Sequence, residues 1–123
     1  MLLAVGVDIV SVKRFGELHN RYGEKLIKKL FPEGVDYCFK KRKGELPGCL
    51  AARFALKEAV IKAFGQIGVE LTPSKVRVIG GGREMRVEVE GVNGVEILFS
   101  ISHERDYAVA VVNLIGKPGH NPV

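Results

Sequence analysis

Two carboxylates stand where a carboxylate is costly. Asp8 interrupts a β-rich apolar run, Leu2 to Val7, ahead of Ile9 and Val10. Glu58 sits within Arg53-Phe54-Ala55-Leu56-Lys57-Glu58-Ala59-Val60-Ile61-Lys62-Ala63-Phe64-Gly65, a proline-free stretch that is apolar around most of its helical circumference. A charge in such surroundings needs amides, a partner charge or a bound ion. Hard oxygen donors with cations beside them suit Mg²⁺ holding a phosphate or pyrophosphate, the metal keeping several waters. Blander readings stand beside this one. Glu58 and Lys62, four residues apart, can form a weak helical pair, and Lys57 can snorkel outward. Asp8 can accept backbone amides near a helix start, although Ser11 is better placed for that cap. His19 and His120 have no partners at ligand spacing, so zinc is not expected.

These residues must be held by a small set of elements. Leu2 to Val7 reads as a buried strand, followed by a helix over Ser11 to Tyr22 with Phe15 and Leu18 inward and Lys13, Arg14 and Arg21 outward. A second helical segment runs from Glu24 to Phe31, and a further turn or two from Asp36 to Lys43. Pro47-Gly48 breaks the chain before the central helix. On that helix Leu50, Phe54, Val60, Ile61 and Phe64 form one stripe, with Ala52, Leu56, Ala59 and Ala63 opposite. The period then changes to two. Lys75 to Ile79 and Met85 to Val89 form one hairpin around Gly80-Gly81-Gly82, a turn rather than a phosphate loop because no Gly-Lys-Ser/Thr follows. Val95 to Ser102 and Tyr107 to Leu114 form a second, leaving Ser102-His103 at a sheet end. The expected fold is α+β, N-terminal helices packed on a small antiparallel sheet. It occupies a single domain over 1–115, with a mobile tail over 116–123.

The totals narrow the function classes. A chain of 123 residues supports one core. Nineteen Lys and Arg against fourteen Asp and Glu give +5, a surface that favours a polyanion or an acidic partner. Cys38 and Cys49 form neither a disulfide framework nor a metal-ligand spacing, and are expected as reduced, partly buried thiols. No apolar run approaches the roughly 18 residues of a spanning helix. A soluble, cytoplasmic protein is expected, with no secretory signal and no membrane partner.

The order Gly6-Val7-Asp8-Ile9-Val10, then Arg53-Phe54 through Lys57-Glu58 and Lys62 to Gly65, then Ser100-Ile101-Ser102-His103 is specific. It resembles the holo-acyl-carrier-protein synthase family, the short single-domain type of 4′-phosphopantetheinyl transferase, over about Val5 to Val112. The resemblance implies transfer of phosphopantetheine from coenzyme A to a serine of apo-acyl carrier protein, releasing 3′,5′-ADP, by a homotrimer. It implies Asp8 and Glu58 as Mg²⁺ ligands, Lys62 on the pyrophosphate or in proton transfer, and Asp36 as a residue activating the serine through water. It further implies Arg53, Lys57, Ser102 and His103 at the coenzyme, and Lys41, Arg42 and Lys43 at its 3′-phosphate and adenine end. Arg14 matches a position facing the acidic carrier. The identity of the base stays open among Asp36, Lys62 and metal-bound hydroxide. Three departures stand out: Gly34 where the family usually has a glutamate, a longer Leu46-Pro47-Gly48-Cys49 stretch, and Gly82-Arg83-Glu84 where Gly-Lys-Pro is common.

A small basic nucleic-acid-binding module is the competing class. The Lys40-Lys41-Arg42-Lys43 block favours it, and the absence of a binding motif or clustered aromatics opposes it. A purely structural protein leaves Asp8 and Glu58 unexplained.

Overall fold

The computed structural model describes residues 1–41 and 43–119. Strand β1 (Leu2–Ser11) leads into helix α1 (Val12–Tyr22), and Ser11 caps that helix by accepting from the Arg14 N–H at 3.2 Å. Gly23, at φ 55°, ends α1 and starts α2 (Glu24–Leu30). A four-residue α3 (Asp36–Phe39) and a short 3-10 turn precede α4 (Leu46–Gln66). The hairpin of β2 (Val76–Ile79) and β3 (Arg86–Val89) follows, then that of β4 (Val95–His103) and β5 (Tyr107–Gly116). The architecture is the expected α+β one, but β1 is part of the second hairpin's sheet. It pairs antiparallel with β5, giving the order β1-β5-β4, while β2 and β3 form a separate sheet.

Helix α4 is the hub. Its Leu56, Val60 and Phe64 are fully buried against Ala110, Val112 and Leu114 of the sheet and Val76 and Val78 of β2. A second cluster joins its first half to Phe15, Ile27, Phe31 and Val35 of the N-terminal segments. The helix starts earlier than its sequence indicates. Pro47 lies in the first turn, where a missing N–H leaves no bond unmade, so Pro47-Gly48 opens the helix rather than preceding it. Gly6 sets the sheet-to-helix distance. A Cβ there would run into the Ala59 carbonyl, so only glycine lets β1 approach this closely.

Four expectations need correction. The β1 run is not buried on both faces: Ala4 and Gly6 point inward, but Val5, Val7 and Ile9 are 42%, 54% and 65% exposed. Leu18 is 43% exposed, because α1 packs through Val12 and Phe15. Cys38 and Cys49 form a disulfide, made possible because α3 lies on the start of α4 with the two Cα atoms 5.5 Å apart. Residues 116 and 117 are tied to the body, since the Lys117 N–H donates to the Gly94 carbonyl at 2.9 Å. His120, expected in a mobile tail, lies outside the described residues. None of the described helices is long and apolar enough to cross a membrane.

Candidate active site

Because Gly6 brings β1 onto α4, the next inward residue, Asp8, faces the helix at Glu58 and Lys62. The Lys62 ammonium donates to Asp8 Oδ1 at 2.8 Å and to the Val7 carbonyl at 3.1 Å. Asp8 is largely covered, its side chain 15% exposed, whereas Lys62 stays half open at 54%. The helical spacing of Glu58 and Lys62 therefore serves a cross-element contact. Asp8, Glu58 and Arg14 line one cleft of about 350 Å³, along with Phe15 and Phe54, whose rings meet at 5.4 Å. Burial, and then the charge of Asp8, push the Glu58 carboxyl above its ordinary pKa, with Lys62 pulling the other way. Two carboxylates that repel each other across an open cleft form a site that gains from a cation.

The donor set fits Mg²⁺. Among the described residues no three His, Cys, Asp or Glu side chains gather as a metal site. Two carboxylates leave the remaining positions to substrate oxygens and waters, which is how Mg²⁺ prefers to bind.

A second cleft, of about 420 Å³, lies along β4. It is bordered by Lys41, Arg53 and His103, with Met85, Phe99 and Ile101 as apolar wall. Arg53 is only 3% exposed. Its Nη2 donates to the Val78 and Gly80 carbonyls at 3.2 and 2.7 Å, while Nε and Nη1 are buried with no partner. Burial lowers its pKa, against the charge of Glu33. His103 packs on Gly48, where a Cβ would lie 2.8 Å from Nδ1. Ser102 does not join it. It faces the opposite side of the sheet, across from Val109, so the expected Ser102-His103 pair diverges within one chain.

The two expected catalytic residues are also apart. Asp36 is exposed at the start of α3 and borders a third cleft with Lys40, Arg77 and Arg53, not the cleft of Asp8 and Glu58. Arg42 and the side chain of Lys43 lie outside the described residues. Lys57 is neither a surface cation nor a cleft residue. It is fully buried, and its three donors go to the Leu30 carbonyl at 2.7 Å, Glu33 Oε1 at 3.0 Å and the Pro73 carbonyl at 2.9 Å. Three donors on three acceptors leave none for a coenzyme.

A scan against family models matches residues 4–112 to the 4′-phosphopantetheinyl transferase superfamily. The chain belongs to that superfamily. A holo-[acyl-carrier-protein] synthase of Thermodesulfovibrio yellowstonii is 46% identical over 114 residues, covering 91% of this chain and 97% of that protein. A Chronobacterium ammoniagenes ACPS–CoA complex shares the fold at TM-score 0.72 with 28% identity, over 93% of this chain and 97% of the other. A Bacillus anthracis holo-(acyl-carrier-protein) synthase in complex with CoA (3′,5′-ADP) has TM-score 0.75 at 23% identity, over 93% and 96%, a likeness of fold alone. The basic nucleic-acid-binding reading finds no support in these likenesses. For a transferase of this superfamily, two residues escaped the sequence reading. Glu33, next to Gly34, is the buried partner of Lys57, with its side chain 2% exposed. Tyr37 lies between two clefts. A glutamate directly before Gly34, where a family glutamate was expected, was the available signal for the first.

Proposed function

We propose that this chain transfers the 4′-phosphopantetheine group of coenzyme A to a serine of apo-acyl carrier protein and releases 3′,5′-ADP. One observation carries the reading. Asp8 and Glu58 share one cleft with Lys62 bonded at its edge, in a chain 46% identical to a holo-[acyl-carrier-protein] synthase across nearly its whole length. In the reaction the serine oxygen attacks the phosphorus nearer the pantetheine arm. The bond from that phosphorus to the bridging oxygen breaks, and the electron pair leaves with 3′,5′-ADP. The serine proton passes to a base, for which we propose Asp36 acting through water.

Phosphoryl transfer demands positioning and charge stabilisation more than covalent help. Asp8 and Glu58 would hold Mg²⁺, which when bound neutralises pyrophosphate charge as it develops. Lys62, held on Asp8 and half exposed, can swing its ammonium to the leaving oxygens. Lys41 and Arg53 bring cations, and His103 an imidazole, to the apolar β4 cleft, a combination suited to an adenine ring and its phosphates. Lys41 there, together with Arg42 and Lys43, is proposed for the 3′-phosphate, and Ser102 for the coenzyme from the far face of the sheet. Arg14, exposed beside Asp8 and Glu58, would meet the acidic carrier.

We further propose a homotrimer that shares its sites. The cleft of Asp8 lies at the β1 edge and that of His103 at the β4 edge of a β1-β5-β4 sheet, so no single edge holds both sets. The outer sheet face exposes Val5, Val7, Ile9, Leu98 and Val111, an apolar surface suited to burial between copies. Asp36 would reach the serine across that interface. The cytoplasm is the proposed compartment. Incubation with coenzyme A, Mg²⁺ and apo-acyl carrier protein, read by mass spectrometry, tests the activity. A carrier that gains one phosphopantetheine supports it, and an unmodified carrier with otherwise competent components refutes it.

A further inference from the structure

Tyr37 and Arg53 are the two residues common to both neighbouring clefts, and together they form the wall between them. Three contacts fix the tyrosine ring. A Cβ on Gly81 would run into its Cγ, Cδ2 and Cε2, so the ring lies directly on the Gly81 backbone. Gly81 has φ −166°, open to any residue, so glycine is needed there for space. The Arg53 guanidinium carbon is 5.7 Å from the ring centroid, and the Lys41 ammonium 4.7 Å. The same glycine turn holds Arg53 through the Gly80 carbonyl at 2.7 Å. The neighbouring Cys38–Cys49 bond ties the helix bearing Tyr37 to α4. The ring is therefore packed tightly against the Gly81 turn, with two cations assembled on it.

We infer that Tyr37 is the positioning residue of the nucleotide cleft: its ring holds Lys41 and Arg53 in place for the phosphorylated adenine end of coenzyme A. This rests on the transfer activity proposed above. Lys41 is exposed and on a flexible stem, so without a fixed ring its ammonium would have to be ordered during binding, at an entropic cost. Cations held over an aromatic face lose that freedom beforehand. Tyr37 acts through these cations, not on the reacting phosphorus, so its removal falls on coenzyme affinity.

The test compares wild type, Tyr37→Leu and Tyr37→Phe in transfer at saturating carrier, alongside calorimetric binding of 3′,5′-ADP alone. Tyr37→Leu should raise the KM for coenzyme A and the Kd for 3′,5′-ADP about tenfold, a larger change than any in kcat. Tyr37→Phe, which keeps the ring, should restore both. In a Lys41→Met background the Tyr37→Leu penalty should shrink, because the two substitutions remove one interaction. An unchanged KM in Tyr37→Leu, a loss confined to kcat, loss of the melting transition, or a Phe variant as weak as the Leu variant overturns the inference. Wild type that leaves the carrier unmodified would defeat the transferase reading instead, while 3′,5′-ADP binding still reports on Tyr37.

Discussion

Asp8 and Glu58 are the residues proposed to hold Mg²⁺, and their isosteric amides test that role. Asp8→Asn and Glu58→Gln each remove one negative charge from the proposed Mg²⁺ shell with little change of shape. Outer-sphere substitutions at metal sites already cost roughly 10–100-fold, so each of these should reduce transfer by about a hundredfold or more with the melting temperature kept. Wild-type rates at low Mg²⁺ would remove that residue from the shell. Glu58 also leaves a signature without metal. Its pKa is raised in the folded chain, chiefly by burial, so between the ordinary carboxylate range and that higher value the folded state binds more protons than the unfolded one. Stability of the metal-free protein should then fall as pH rises through this window, and Glu58→Gln should flatten the fall. Urea titrations in chelator across that range provide the reading, and a wild-type slope unchanged in the variant contradicts it. Arg14 is the residue proposed to face the carrier. Arg14→Glu should raise the KM for carrier protein at least about tenfold, less at high salt, and leave that for coenzyme A nearly unchanged. Equal damage to both KM values would move Arg14 into the coenzyme site or the fold.

At the scale of elements, the Lys57–Glu33 pair fastens the N-terminal helices to the hub. Lys57 is on α4, the Leu30 carbonyl ends α2, and Glu33 Oε2 accepts the Val78 N–H of β2 at 2.9 Å. One buried ion pair thus ties three elements, with Phe31 stacked 5.1 Å from the ammonium. Burial lowers the Lys57 pKa while Glu33 holds it up. Removing one partner strands the other, so Lys57→Met alone should cost about 3–5 kcal/mol. The double variant Lys57→Met with Glu33→Leu should cost less than the two single losses summed, keeping about 1–3 kcal/mol for the Val78 N–H left without an acceptor. Denaturant melts of the four proteins measure the cycle. Additive losses would mean that the pair is not a unit.

At the scale of the whole molecule, the two candidate clefts lie at opposite edges of one sheet. If copies share them in the proposed homotrimer, sedimentation should show a trimer at assay concentration. Mixing two inactive proteins, Glu58→Gln and an Arg53→Met variant lacking the β4-edge cation, should recover part of the transfer, since some interfaces would pair an intact β1 edge with an intact β4 edge. A fully active monomer, or no recovery from subunits that demonstrably exchange, would sink the shared-site proposal.

Local order was legible in the sequence, because periodicity and capping are properties of neighbouring residues. The changes from period 3.6 to 2, the Ser11 cap and the two hairpins followed from such patterns. The cost of Asp8 and Glu58 in apolar surroundings was equally plain, and it pointed to their cleft before any distance was known. Tertiary packing decided what depends on residues far apart in the chain. Lys57 is consumed by Glu33, twenty-four positions away, so a cation that local spacing offers to a ligand becomes a strut. Cys38 and Cys49 pair because α3 folds onto α4, a closeness that a separation of 11 residues does not disclose. Ser102 and His103 are adjacent in sequence yet face opposite sides of the sheet, since successive strand residues alternate. Asp8 meets Lys62 across 54 positions only because Gly6 lets a strand lie against a helix. Residue types set which chemistry was possible, and the approach of β1 to α4 decided which of those residues share a cleft.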